Sequence, residues 1–182
     1  RFRIGPDTFF QSNTAQAEKL FARVRELATL HGRPAVALDL FAGTGPIALQ
    51  LAAVADRVVA VESWEPSVLA ARENIALNDV QNVDVVGADV NAALPPGIPA
   101  NVDLVVVDPP RPGLSPEAIA WIAKLAPATV VYVSCNPATL ARDLKLLLQS
   151  PYRIETVEPF DLFPHTFHVE TLVLLRRISP CG

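Results

Sequence analysis

The chain has 182 residues, 51% of them hydrophobic, and a net charge of −4, which is enough apolar material for one buried core. No apolar run approaches the roughly 20 residues that span a bilayer, and Arg1-Phe2-Arg3-Ile4-Gly5-Pro6 has no signal-peptide character, so no membrane partner is expected. Cys135 and Cys181 are too few for a disulfide framework and have no metal-ligand spacing; no metal is expected, and the expected compartment is the reducing cytoplasm. Ala17, Leu20, Phe21, Val24, Leu27 and Ala28 recur at helical spacing and predict a helix over 13–31, with Asn13 as N-cap and Gly32 just past its end. After Pro34, the apolar run Val36 to Phe41 suits a buried parallel strand. Helix 46–54, strand 57–61, helix 65–78 and strand 82–86 follow, then strand 103–107, helix 115–125, strand 129–133 and helix 137–149. The segments 153–159 and 169–176 read as two strands with no helix between them. Such alternation predicts an α/β fold: a Rossmann-like, mostly parallel sheet with helices on both faces, ending in an antiparallel C-terminal hairpin. The expectation is a single domain over 1–182, with 1–34 as an N-terminal helical extension and 35–178 as the core.

In open α/β sheets, ligands sit at the carboxyl ends of the strands, and four loops of this sequence would meet there. Asp39-Leu40-Phe41-Ala42-Gly43-Thr44-Gly45-Pro46 offers a tight glycine turn into a helix, and Pro46 suits its first position. Glu62 ends the second strand, where a carboxylate accepts the hydroxyls of a ribose; the bland alternative is a solvated strand-end acid. Asp89 follows the third strand, either within reach of an adenine amino group or as a helix N-cap. Asp108-Pro109-Pro110-Arg111 follows a fourth, apolar strand, and its prolines fix the direction of the Asp108 carboxylate. Gly43-x-Gly45-x-x-Ala48 also fits a relaxed dinucleotide fingerprint. However, Asp39 is unsuited to a pyrophosphate and no second nucleotide-binding half follows. S-adenosylmethionine is the cofactor these loops favour.

Val130-Val131-Tyr132-Val133 runs into Ser134-Cys135-Asn136-Pro137. A cysteine in a strand is commonly packing, but Cys135 stands between a strand end and a helix start, where helix amides favour thiolate. A thiolate adding to uracil carbon 6 makes carbon 5 nucleophilic toward an electrophilic methyl, and a base must then remove the carbon 5 proton. Glu170 is the candidate base, with partial burial raising its pKa; His165 and His168 are rivals. Alternatively Glu170 pairs with Arg111 or Arg142, and either histidine caps the hairpin loop.

Five segments together, Phe9-Phe10-Gln11-Ser12-Asn13-Thr14, Asp39 to Gly45, Asp108 to Leu114, Ser134 to Asp143 and Phe163 to Glu170, resemble the RNA (uracil-5-)-methyltransferase family in order and spacing. The resemblance covers nearly the whole chain and implies the class I methyltransferase form of the Rossmann-like fold. It implies methyl transfer from S-adenosyl-L-methionine to carbon 5 of a uridine in tRNA or rRNA, with Cys135 as nucleophile and Glu170 as base. It also implies that Gln11, Phe41, Glu62 and Asp108 contact the cofactor or shape its pocket, with Gly43 and Gly45 giving backbone access. Gln11 rests on the resemblance alone. Ala42 stands where relatives often have Cys. Larger relatives carry an N-terminal RNA-binding barrel, a central domain and in some cases an iron–sulfur cluster, none of which this sequence contains. The acidic net charge and the dispersed Lys and Arg fit that. The chain is therefore expected to be a fragment whose grip on RNA needs a further domain, with no obligate protein partner. The alternatives are a methyltransferase acting on another base or on a protein, and a cofactor-binding RNA-folding module without catalysis.

Overall fold

The structure, a computed structural model, describes residues 1–3, 13–92, 94–95, 97–166 and 168–178. Its framework is a seven-stranded sheet of order β3-β2-β1-β4-β5-β7-β6. β1 (Val36–Leu40), β2 (Arg57–Glu62), β3 (Val83–Gly87), β4 (Leu104–Val107) and β5 (Thr129–Ser134) are parallel, and β6 (Tyr152–Phe160) and β7 (Glu170–Arg177) pair antiparallel. The central strands are Val- and Leu-rich without polar alternation because both of their faces are covered.

Two apolar layers enclose the sheet. Ala37, Ala60, Val106, Val131 and Leu174 face α1 (Thr14–Thr29) and α2 (Pro46–Ala52), while Leu38, Val59, Val105, Val130 and Leu175 face α4 (Pro116–Leu125) and α5 (Pro137–Leu147). α3 (Glu65–Leu77) lies over β2 and β3. The six residues whose spacing predicts α1 are its six buried ones, and Asn13 caps it by accepting from the Gln16 amide at 3.3 Å. Each fully buried Leu, Val or Phe adds about 1.5–3 kcal/mol, so that stripe is what seats α1 on the sheet. Arg23 then ties α1 to β6, donating to both Glu158 oxygens at 2.9 and 2.8 Å.

Observed boundaries differ from the sequence expectations by no more than two residues, and two of the differences are informative. The first strand stops at Leu40 because Phe41 turns to φ +64°. α1 stops at Thr29 rather than 31, and Gly32 (φ +117°) makes the turn toward β1. The chain crosses from β3 at one edge to β4 beside β1, so the strand order reverses between β1 and β4. That reversal opens the crevice in which open α/β sheets bind ligands.

Candidate active site

Every parallel strand leaves the sheet at the same edge, and β6, running in the same sense, delivers its loop there too. β7 runs the opposite way, so its first residue, not its last, lies at that edge. In the β5–β7 ladder Ser134 pairs with Thr171, which makes Cys135 and Glu170 the next facing positions. A cleft of about 850 Å³ opens along this edge. It is lined by Phe41, Gly43, Glu62, Asp89, Asp108, Cys135 and Glu170 among the expected residues. Gln11 and Cys181 lie outside the described residues.

The first wall of the cleft is the turn after β1. Phe41 takes a left-handed backbone, a conformation that costs a non-glycine residue about 1–3 kcal/mol and persists only where its surroundings enforce it. Gly45, at φ +87°, caps α2 with its backbone alone and lies against Ala71 of α3. Glu62 braces the turn: Oε2 accepts the Gly43 amide at 2.9 Å, and Oε1 accepts the Ser63 and Trp64 amides, each at 2.8 Å. Glu62 lines the cleft with its carboxylate held by these three amides. From behind, the buried Asn74 side chain donates to the Thr44 carbonyl at 3.0 Å.

Beneath this turn Asp39 is fully buried, and among the described residues no hydrogen bond of full geometry reaches either of its oxygens. The Ala48 amide offsets the charge only in part. Burial first, then Asp108 and Glu62 nearby, hold its pKa well above the usual carboxylate range. A buried carboxylate left in this state lacks a cationic or donor partner. Asp108 is similarly perturbed, pushed up to about 7 by burial and by the Glu170 charge.

The second wall is formed by β5, β7 and the loop after β4. Glu170 is 3% exposed, and burial raises its pKa. Neither arginine alternative for it is realised, because Arg142 pairs with Asp143 and the Arg111 guanidinium lies on His168. His168 lines the cleft, whereas His165 is exposed and is not among its lining residues. The expectation that a helix start favours the Cys135 thiolate is corrected. Burial, then Glu170 and Asp108, raise the thiol pKa, opposed by Arg111. The first free amide of α5, that of Ala138, donates to its N-cap Asn136 at 3.1 Å, and burial together with the two acids outweighs the one guanidinium.

Asp89 also departs from one of its readings. It lines the cleft, but it caps a short turn rather than a helix, accepting from the Asn91 amide at 2.9 Å. Sequence reasoning passed over Trp64, Ser67, Phe163 and Asn74. Trp64 had a signal, being a large aromatic two residues past Glu62; Asn74 is polar on a helix and showed none.

A seven-stranded sheet of this order, with a cleft at its carboxyl edge built from a glycine turn, a braced strand-end acid and an acidic proline loop, defines a class I methyltransferase fold. The tRNA (Uracil-5-)-methyltransferase family model matches residues 1–92 and 99–178, and the chain belongs to that family. It is 42% identical over 177 residues to an RNA methyltransferase of Clostridium tetani, covering 97% of this chain and 38% of that protein. A relative from Gloeobacter violaceus, also an RNA methyltransferase, is 46% identical with the same coverages. The chain thus spans well under half the length of these relatives. Among solved structures it is similar to the tRNA (uracil-54, C5)-methyltransferase of Pyrococcus abyssi in complex with S-adenosyl-L-homocysteine. That match has a TM-score of 0.83 and 36% identity, covering 96% of this chain and 41% of that one.

Proposed function

We propose that this chain is the catalytic domain of an RNA methyltransferase that moves a methyl group from S-adenosylmethionine to carbon 5 of a uridine in tRNA or rRNA. The observation that carries the reading is the meeting of Cys135 and Glu170 on one wall of the cleft, with Asp108 beside them. Family membership and the similarity to a uracil-54 enzyme support it.

The opposite wall fits a cationic cofactor. Glu62 presents an oriented carboxylate and Phe41 an apolar side to the cleft, and Asp39 adds a buried acid beneath the turn. When bound, S-adenosylmethionine supplies an electrophilic methyl group. Glu62 would take the ribose hydroxyls, Gly43 and Gly45 would let the backbone approach, Asp89 would face the adenine amino group, and Gln11 is assigned through the family resemblance.

Cys135, as thiolate, adds to uracil carbon 6, and the electrons of the 5,6 double bond move toward carbon 5 and the carbonyl at carbon 4. Carbon 5 would then take the methyl group as its bond to the sulfonium sulfur breaks, with S-adenosylhomocysteine as the leaving group. Glu170 removes the carbon 5 proton, the double bond re-forms, and the carbon–sulfur bond breaks to release Cys135. The raised pKa of Glu170 makes it a stronger base than an exposed carboxylate. The raised pKa of Cys135 means its proton leaves only when a base stands near; Asp108, at about 7, is such a base at neutral pH.

The test is intact mass after mixing the protein, S-adenosylmethionine and a 5-fluorouridine RNA, because fluorine at carbon 5 blocks the elimination. A methylated adduct that disappears in Cys135→Ala is the expected result. A protein that methylates uridine RNA with Cys135→Ala as fast as wild type overturns the reading.

A further inference from the structure

Asp143 lies on α5, fully buried, and does not line the cleft. Its Oδ2 accepts the Leu114 amide at 2.8 Å and the Tyr132 hydroxyl at 2.6 Å, and its Oδ1 accepts Arg142 Nε at 2.8 Å. Arg142 continues onto the same loop, donating through Nη2 to the Pro112 carbonyl at 2.7 Å and the Leu114 carbonyl at 3.1 Å. One turn earlier on α5, the Thr139 hydroxyl and Asn136 Nδ2 donate to the Arg111 carbonyl at 3.1 and 3.3 Å. Gly113 completes the fit, since a Cβ there would stand 2.4 Å from Asp143 Oδ2.

Five of these bonds reach residues 111–114, the loop that continues from Asp108-Pro109-Pro110. A buried carboxylate is costly unless its lone pairs are met. Here the donors that meet them fasten a cleft loop to a helix behind it. The side chain at the head of that loop points the other way: Arg111 Nη2 sits 3.2 and 3.1 Å from the two ring nitrogens of His168. Among the described residues lining the cleft, Arg111 is the one Arg or Lys. It lines the cleft with Cys135, and its carbonyl accepts from Asn136, the residue after Cys135. Its charge opposes the two acids that act on the thiol, Asp108 after β4 and Glu170 from β7, and His168 lines the same cleft.

We propose that Asp143 is a positioning residue: by pinning the backbone of the loop it holds the Arg111 guanidinium beside Cys135 and so sets how readily that thiol reacts. The inference rests on Cys135 being the nucleophile and is independent of which base is methylated. Without the pin the one Arg or Lys among the described cleft residues retreats, and the two acids act on the thiol with less opposition.

The test is the rate of alkylation of Cys135 by iodoacetamide from neutral to alkaline pH. It is read by peptide mass so that Cys181 is scored separately, and it uses neither RNA nor cofactor. Asp143→Asn should move the midpoint upward by about half a pH unit, which is about threefold slower alkylation at a fixed pH below the midpoint. Arg111→Gln should move it at least as far, and the double variant no further than Arg111→Gln alone, because both act through one group. If Asp143→Asn does not fold, Thr139→Val decides, since it removes one bond to the loop from the helix surface; it should shift the profile the same way by less. A profile superimposed on wild type in the folded variant, or fully additive shifts in the double variant, overturns the proposal. An Asp143-dependent profile without any uracil adduct would reject the uracil reading and leave the pin standing; an adduct with an Asp143-independent profile would do the reverse.

Discussion

At the scale of single residues, the reaction wall concentrates three groups whose pKa values are raised by burial: Cys135, Asp108 and Glu170, with the Glu170 charge raising the first two further. Such clustering is how a site obtains acids and bases that work near neutrality. In the proposed mechanism Glu170 and Cys135 act at separate steps, which gives a clean separation by mutation. Glu170→Gln keeps size and hydrogen bonding but cannot take a proton. The covalent adduct should therefore accumulate on ordinary uridine RNA while turnover falls by about 100-fold or more. Mass spectrometry of the stalled complex checks it; rapid turnover by this variant, with no adduct, rules Glu170 out as base. The residues that line the cleft were mostly legible in the chain, because chemistry-bearing types stood at strand ends. Asn74 was not legible, since its task is to hold the Thr44 carbonyl, and only the packing of α3 against the turn defines that task.

At the scale of elements, the loop between β4 and α4 depends on α5 as much as on its own prolines. Gly113, at φ +78°, lies where a side chain has no room against Asp143 and Arg142. Gly113→Ala is expected to cost about 2–4 kcal/mol, from a left-handed alanine together with the displaced carboxylate. Chemical denaturation measures it, and a loss below about 1 kcal/mol would show that the loop yields easily. Helix and strand positions were legible here because buried periodicity, Pro46, Pro116 and Pro137 at helix starts, and Asn13 as a cap are local signals. The partnership of Asp143 with Leu114 spans 29 positions and leaves no local trace. The thiolate expectation for Cys135 failed for the same kind of reason. A helix start was visible in the chain, but the acids that outweigh it come from β4 and β7.

At the scale of the whole molecule, burying Asp39 and Asp108 together makes the free protein sensitive to pH. Their folded pKa values lie above the unfolded ones, so their protonation favours the fold. That stability is present below about pH 4 and is lost as pH rises through the folded value, about 7 for Asp108. Asp108 alone accounts for on the order of 3 kcal/mol across that window. The melting temperature of the ligand-free chain should therefore receive a falling contribution between about pH 4 and 7, and Asp108→Asn should flatten it. Thermal melts of both proteins over that range check the claim; parallel curves would show that Asp108 is solvated.

The sequence by itself determined the order and kind of the elements, the α/β class and the strand ends that carry acids, glycines and the thiol. Periodicity, caps and turn residues act over a few positions, and five motifs in register carry a family signature. Only the tertiary structure decided which of those ends share a wall. The strand order places β7 antiparallel beside β5, which turns the first residue of β7 toward the last of β5 and brings Glu170 to Cys135. It also decided how each group is charged and which side chains hold the loops, because proximity and burial are properties of the folded chain.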